Sequence, residues 1–417
     1  MKVLHAADLH IDSPMKGMER YDGAPVDVMR GSTRKAVSNL VDLAIREQVD
    51  IVTIGGDVFD GDWHEVTSGL WWNSQLDRLV AAGIEVFVVH GNHDAASQLT
   101  HRLRAPRGVH VFGTDAPQSI HSDRHPLVVH GQSYRDRAVT DDLAAGFPQA
   151  VPGLFNIGLL HTSLDGRPGH ASYAPCTAEG LRAKQYELWA LGHVHQREQG
   201  TVGDTHILFP GNTQGRHARE CGPKGVSIIG ITNGQVDSIQ HHPVDAVRWA
   251  SIGIDTTALP TLDAVIEQAV DAVAAARRAA DRPLAVRLEL TGTSSLHAAV
   301  QGTALETLRL TIISELSRNE GDVWVEKLLD RTASPRTIDV HDADALQVIQ
   351  RLLDRALTDD ALVSGLPGTL SDLGNRFAPT LHRMGPEAGS RPDAIDQVRA
   401  RLPQAAELLI TRMGGRR

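Results

Sequence analysis

Eight apolar runs of strand length punctuate the first 245 residues of this 417-residue chain, and five of them break off in the same kinds of residue. The runs are KVLHAA (2–7), DIVTIGG (50–56), EVFVVHG (85–91), PLVVHG (126–131), NIGLLH (156–161), LWALGH (188–193), HILFPG (206–211) and GVSIIGI (225–231). Short, rich in β-branched residues and bounded by Gly, Pro or Asp, they predict strands buried on both faces. Between them lie helix-compatible segments such as TRKAVSNLVDLAIRE (33–47), with Val37, Leu40, Val41 and Ala44 on one stripe. The pattern predicts an α/β core.

The ends of the runs predict its chemistry. The first is followed by Asp8-Leu9-His10, the second by Asp57-Val58-Phe59-Asp60 and the third by Asn92-His93-Asp94, while two later runs end in His161 and in His193-Val194-His195. In an open α/β sheet the strand ends converge on one crevice, so residues nearly two hundred positions apart can meet. Positions i and i+2 of an extended segment share a side, which makes Asp8 with His10 one claw and His193 with His195 another. Oxygen and nitrogen donors without a thiolate suit a pair of divalent ions, Mn²⁺, Fe²⁺ or Zn²⁺. Asp57, directly after Gly55-Gly56, is the candidate to bridge them. His5 and His90 sit inside apolar runs and read as structural histidines; His64, His101, His121 and His125 lie in polar stretches and read as solvated.

The ordered set D-x-H, G-D, G-N-H-D, H and G-H-x-H resembles the calcineurin-like metallophosphoesterases. That resemblance implies a four-layer α/β/β/α sandwich. One metal would be held by Asp8, His10, Asp57 and His195, and the other by Asp57, Asn92, His161 and His193. His93 would face the substrate phosphate as the catalytic acid, with Asp94 orienting its ring. Asp60 stands where some members of the group carry a second histidine.

The layout of the whole chain is similar to that of bacterial DNA-repair exonucleases of the SbcD/YhaO type, with PGNTQGRH and GPKG nearest the YhaO branch. This implies a metallophosphoesterase (nuclease) domain over 1–245, an α/β capping domain over 246–335 and a helical C-terminal segment over 336–417 that docks on a partner. Past Pro243 the sequence itself changes texture, to a β-α-β-α-β pattern and then to mostly helical segments broken by Pro and Gly. The resemblance further implies Mn²⁺-dependent cleavage of DNA ends in double-strand-break repair, an SMC-like ATPase of the SbcC/YhaN kind as partner, and a homodimer. Residues 66–80 and 96–104 are candidates for the dimer contact. Because the chain has no Gly-Lys dipeptide it carries no Walker A loop of its own.

The stretch FPGNTQGRHARECGPKG (209–225) adds a substrate-binding candidate: a Gly-rich loop whose Asn212, Gln214, Arg216, His217 and Lys224 suit a phosphate backbone. The formal net charge of −10 argues against electrostatic coating of nucleic acid. An alternative is therefore a phosphodiesterase for small nucleotides, and a further one a fold that no longer catalyses. Two distant cysteines, no apolar leader and no long apolar run make a cytoplasmic protein without a membrane span the expectation.

Overall fold

A computed structural model describes residues 1–15, 25–60, 66–95, 104–164, 173–319 and 322–335, with positions 351, 354 and 355. The expected helical segment over 336–417, apart from those three positions, and most of the dimer candidate 96–104 lie outside the described residues, as do His64 and His101. The chain forms two compact units, the first of which contains Met1–Ser251.

The chain opens with β1 (Lys2–Ala6), α1 (Val26–Arg46), β2 (Ile51–Gly55), α2 (Val66–Ala81), β3 (Glu85–Val89), the single turn α3 (Asn92–Ala95) and β4 (Val109–Val111). A second series follows: β5 (Gln118–His121), β6 (Leu127–Gly131), β7 (Phe155–His161), α4 (Ala178–Arg182), β8 (Leu188–Gly192), β9 (Glu198–Val202) and β10 (Thr205–Phe209). The chain then adds β11 (Gly225–Thr232) and β12 (Gln235–Pro243).

These strands make two six-stranded mixed sheets, in the orders β12-β11-β1-β2-β3-β4 and β5-β6-β7-β8-β10-β9. Strands β1 to β4 run parallel, as do β6, β7, β8 and β10, so their C-terminal ends share an edge. All eight predicted runs are strands, and most are fully buried from end to end.

Packing explains why the runs are unbroken. Val3, Ile51, Phe87, Val89 and Ile229 of the first sheet form one buried cluster with Val129, Ile157, Leu159, Leu188 and Leu208 of the second. The opposite face of the first sheet, through Leu4, Val52, Ile54 and Val86, is covered by Val37, Leu40, Val41 and Ala44 of α1 and Trp72, Leu76 and Leu79 of α2. The second sheet packs Leu160, Trp189, Leu191 and Phe209 against Leu181 of α4 and Tyr186. Each central strand is thus apolar on both sides because each side meets a separate core.

The later part of the described chain forms β13 (Arg248–Asp255), α5 (Leu262–Ala280), β14 (Leu284–Thr291), α6 (Thr303–Asn319) and β15 (Val323–Asp330). The strands lie side by side in chain order. They run parallel: Arg248 and Thr256 donate to Pro283 and Thr291, and Leu284 and Arg331 bond Asp322 and Leu290. Helix α5 buries Val265, Ala269 and Val273, and α6 buries Leu308, Ile312 and Leu316, each a stripe of four-residue spacing.

Candidate metal centre

Three strand ends of the first sheet and two of the second bring their polar residues to one place. Backbone bonds from Asp8 N to Gly56 O (3.0 Å), His10 N to Asp57 O (3.0 Å) and Ile11 N to Val58 O (2.8 Å) lay the turn after β1 along the turn after β2. Asp8, His10, Asp57 and His193 all have left-handed backbone angles, with φ of 52°, 43°, 51° and 96°. Such a conformation is uncommon for residues with side chains and is characteristic of sites where strain is tolerated for function. The claws read as extended are therefore tight turns. Glycine allows the close approach: a Cβ on Gly91 would strike Asp57 and His161, and one on Gly192 would strike the Gly55 carbonyl.

The side chains then converge. Asp8, His10 and His195 present ligand atoms within 4.8 Å of one another, and so do Asp8, Asp57 and His161. The Nε2 atoms of His10 and His195 lie 3.1 Å apart, His195 Nε2 is 3.8 Å from Asp8 Oδ1, and His161 Nε2 is 3.5 Å from Asp57 Oδ2 and 3.1 Å from Asn92 Oδ1. His193 stands beside this group, its ring centroid 5.2 Å from that of His161. His193 and His195 thus do not form one claw: His195 sits with Asp8 and His10, and His193 with His161. Asp8 and Asp57 are both buried, and desolvation, joined at Asp8 by repulsion from Asp57, pushes their carboxyls up. Desolvation also lowers His10 well below its usual value and His161 to about 4. Two desolvated carboxylates facing neutral imidazoles are a donor set that calls for cations.

Comparison with known proteins agrees with this constellation. Residues 1–197 match the calcineurin-like phosphoesterase family, and residues 249–333 match the middle domain of metallophosphoesterase YhaO. The metallophosphoesterase YhaO of Bacillus subtilis is 33% identical over 334 residues, covering 79% of this chain and 81% of that protein. This chain is a calcineurin-like metallophosphoesterase of the YhaO type. More distant likenesses are a component of the nuclease SbcCD of Rhodobacter capsulatus (30% identical, 37% of each chain) and the DNA double-strand break repair protein Mre11 of Methanosarcina mazei (26% identical, 56% of this chain and 36% of that one). The family implies two divalent metal ions, and the clusters around Asp8, Asp57, His10, His161 and His195 fit them.

In this metallophosphoesterase the catalytic candidate His93 is partly exposed, and its Nδ1 is 3.0 Å from Asp60 Oδ1. The Asp60 carboxylate against it raises the His93 pKa. Asp94, expected to orient this ring, does something else: fully buried, its carboxylate accepts from the backbone N–H groups of Val58 (3.1 Å), Phe59 (3.0 Å) and Gly91 (3.0 Å). It ties the turn after β2 to the turn after β3, because three buried amides need an acceptor. Asp60 takes the orienting place, three residues after Asp57. It also lies 3.6 Å from His10 Nδ1, accepts from Ser13 Oγ (2.7 Å) and lies 3.5 Å from the Arg216 guanidinium. Burial works against its charge, but the His10 and His93 rings facing it hold its carboxyl far below the usual range.

The 209–225 loop departs further from expectation. Asn212 is buried, with its amide bonded to Gln214 O (2.8 Å) and Glu220 Oε2 (3.0 Å). Gln214 is buried too, donating to Val247 O (2.6 Å) and accepting from Ala246 N (2.8 Å). Lys224, at 5% exposure, donates from Nζ to His195 O (3.1 Å). These three serve the interior, which leaves Arg216 and His217 as the candidates that can reach a substrate. Sequence reasoning overlooked Glu220, whose Oε1 is 2.7 Å from His195 Nδ1. Its signal was an acidic residue alone in a basic, Gly-rich loop.

Proposed function

We propose that this metallophosphoesterase is a two-metal nuclease that hydrolyses phosphodiester bonds at DNA ends, as the nuclease component of a complex with an SMC-like ATPase. The observation that carries the reading is the inward set of Nε2 atoms of His10, His161 and His195 around Asp8 and Asp57, with His93 at its partly exposed rim. Its extension to DNA is supported by likeness to a protein named as part of a nuclease and to one named for double-strand break repair.

When bound, a pair of divalent ions, Mn²⁺ in this proposal and Fe²⁺ or Zn²⁺ as alternatives, would be held by Asp8, His10, Asp57, Asn92, His161, His193 and His195 and would supply Lewis-acid polarisation of the phosphoryl group and a nucleophile from water at neutral pH. The protein's own part is positioning and proton handling. Asp60 holds His93 by Nδ1 and favours its protonated form, which leaves the other ring nitrogen to meet the scissile phosphate and to protonate the departing oxygen. Arg216 and His217 are the side chains this reading assigns to a neighbouring phosphate.

The test is degradation of end-labelled single- and double-stranded DNA in Mn²⁺, in Mg²⁺ and in chelator, with His93→Ala alongside. Mn²⁺-dependent cleavage that the substitution lowers about 10²–10⁴-fold is the expected result. DNA that stays intact even after an SMC-like ATPase partner is added, beside rapid hydrolysis of a small chromogenic diester, would overturn it in favour of a small-molecule phosphodiesterase. That second reading is favoured by the net charge of −10 and by the burial of Asn212, Gln214 and Lys224.

A further inference from the structure

The loop after β10 looks like a phosphate cradle in sequence, yet its polar groups turn inward onto one residue. His195 is held at both ends. Its carbonyl accepts from Lys224 Nζ (3.1 Å) and from Asn212 N (3.3 Å), and its ring Nδ1 is 2.7 Å from Glu220 Oε1. Glu220 is buried, and every direction of its carboxylate is occupied. Oε2 accepts from the backbone of Arg216 (2.8 Å) and from Asn212 Nδ2 (3.0 Å), while Oε1 also faces the Arg216 guanidinium at 3.5 Å and His217 Nε2 at 3.7 Å.

We propose that Glu220 is a positioning residue of the metal centre: by accepting the Nδ1 proton of His195 it fixes the tautomer in which Nε2 is free toward Asp8 and His10. The same carboxylate seats Arg216, so the loop's fold and the ligand's orientation depend on one side chain. This rests on the metal-centre reading above. The chemistry is that of a carboxylate behind an imidazole ligand, which sets the ring's tautomer and raises its basicity. Of the other two inward imidazoles, His161 Nδ1 donates to Gly55 O (2.9 Å), while the Asp60 carboxylate lies 3.6 Å from His10 Nδ1, an ion-pair distance without a hydrogen bond. All three rings thereby turn the same nitrogen, Nε2, to the centre.

The experiment is calorimetric titration of the metal-free full chain with Mn²⁺, with elemental analysis after desalting, for wild type, E220A and E220Q, alongside metal-free thermal melts. The expected result is two ions for wild type. E220A should keep one at unchanged affinity and bind the other about 10–100-fold more weakly. E220Q, whose amide oxygen still accepts from Nδ1, should lie between the two, and it decides the matter if E220A does not fold. Two ions in E220A at wild-type affinities would overturn the proposal. So would an equal weakening of both ions in step with a lowered melting temperature, which is the mark of a loop staple only. A wild type that takes up fewer than two ions would instead defeat the metal-centre reading itself, whatever Glu220 does.

Discussion

The turns at the strand ends and the loop over 211–225 contain the same classes of residue, histidines, acids and amides among glycines, and put them to opposite use. At the strand ends the backbone groups are satisfied locally, by bonds between the turns after β1 and β2 and by the Asp94 carboxylate. The side chains of Asp8, His10 and Asp57 are thereby left to face one another with few protein partners. In the 211–225 loop a few backbone bonds, such as Gly222 N to Trp249 O (2.9 Å), are joined by the side chains of Asn212, Gln214 and Glu220, which turn inward to pair with backbone groups. Which group a buried turn leaves free is decided by how its own N–H and C=O groups are met, not by its composition.

The sharpest way to break this comparison is at the strand ends. Asp57→Asn removes the carboxylate proposed to bridge the two ions and is expected to abolish measurable hydrolysis, a loss beyond about 10⁴-fold, together with metal uptake. His93→Ala is expected to lower hydrolysis about 10²–10⁴-fold and leave metal content unchanged, because its ring belongs to Asp60. Activity assays paired with metal analysis separate the two effects. Equal metal loss in both variants would mean that His93 holds the centre together.

How far the sequence reveals this follows from the same distinction. The central strands were legible because they are buried on both faces. The four strands without a predicted run are β4, β5, β9 and β12, the edges of the two sheets, where exposure interrupts the apolar pattern. The helix stripe of Val37, Leu40, Val41 and Ala44 was legible, although α1 begins seven residues earlier, at Val26. The residues that gather at the centre were legible from their recurrence at strand ends. Their partners were not. Asp60, not Asp94, lies against the His93 ring, because which carboxylate reaches a ring depends on the turn in α3, and nothing in spacing records that Glu220 lies behind His195.

A second break uses a histidine on the wrong side of the comparison. His5 lies in β1, three residues before Asp8, yet it is fully buried and bonded to Thr53 Oγ1 (2.9 Å) and Leu191 O (3.0 Å), so it ties the first sheet to the second. Burial lowers its pKa from 6.5 to about 4. Between those values the unfolded chain binds a proton that the folded chain refuses, so the stability contributed by neutral His5 is complete above pH 6.5, falls as the pH drops toward 4 and levels off below it. The loss amounts to roughly 3 kcal/mol. Urea unfolding of the metal-free protein across that window, compared with His5→Asn, isolates the share due to His5. Identical pH slopes in the two proteins would show that the ring is charged in the folded state.

The smallest effect sharpens the comparison from the loop's side. Gln214→Ala leaves Ala246 N, Val247 N and Val247 O without their partner in the interior. A cost of about 1–3 kcal/mol in stability is expected, read as a lowered urea midpoint. The turnover of the folded fraction should stay within a few fold of wild type. Arg216→Ala should differ in kind. Its guanidinium sits among Asp60, Glu220 and His195 at the rim of the centre, so its loss should raise KM for a phosphodiester severalfold, besides any stability lost by unpairing those carboxylates. A KM effect from Gln214 and none from Arg216 would mean that the loop presents its amides to substrate after all and uses its arginine only as a staple.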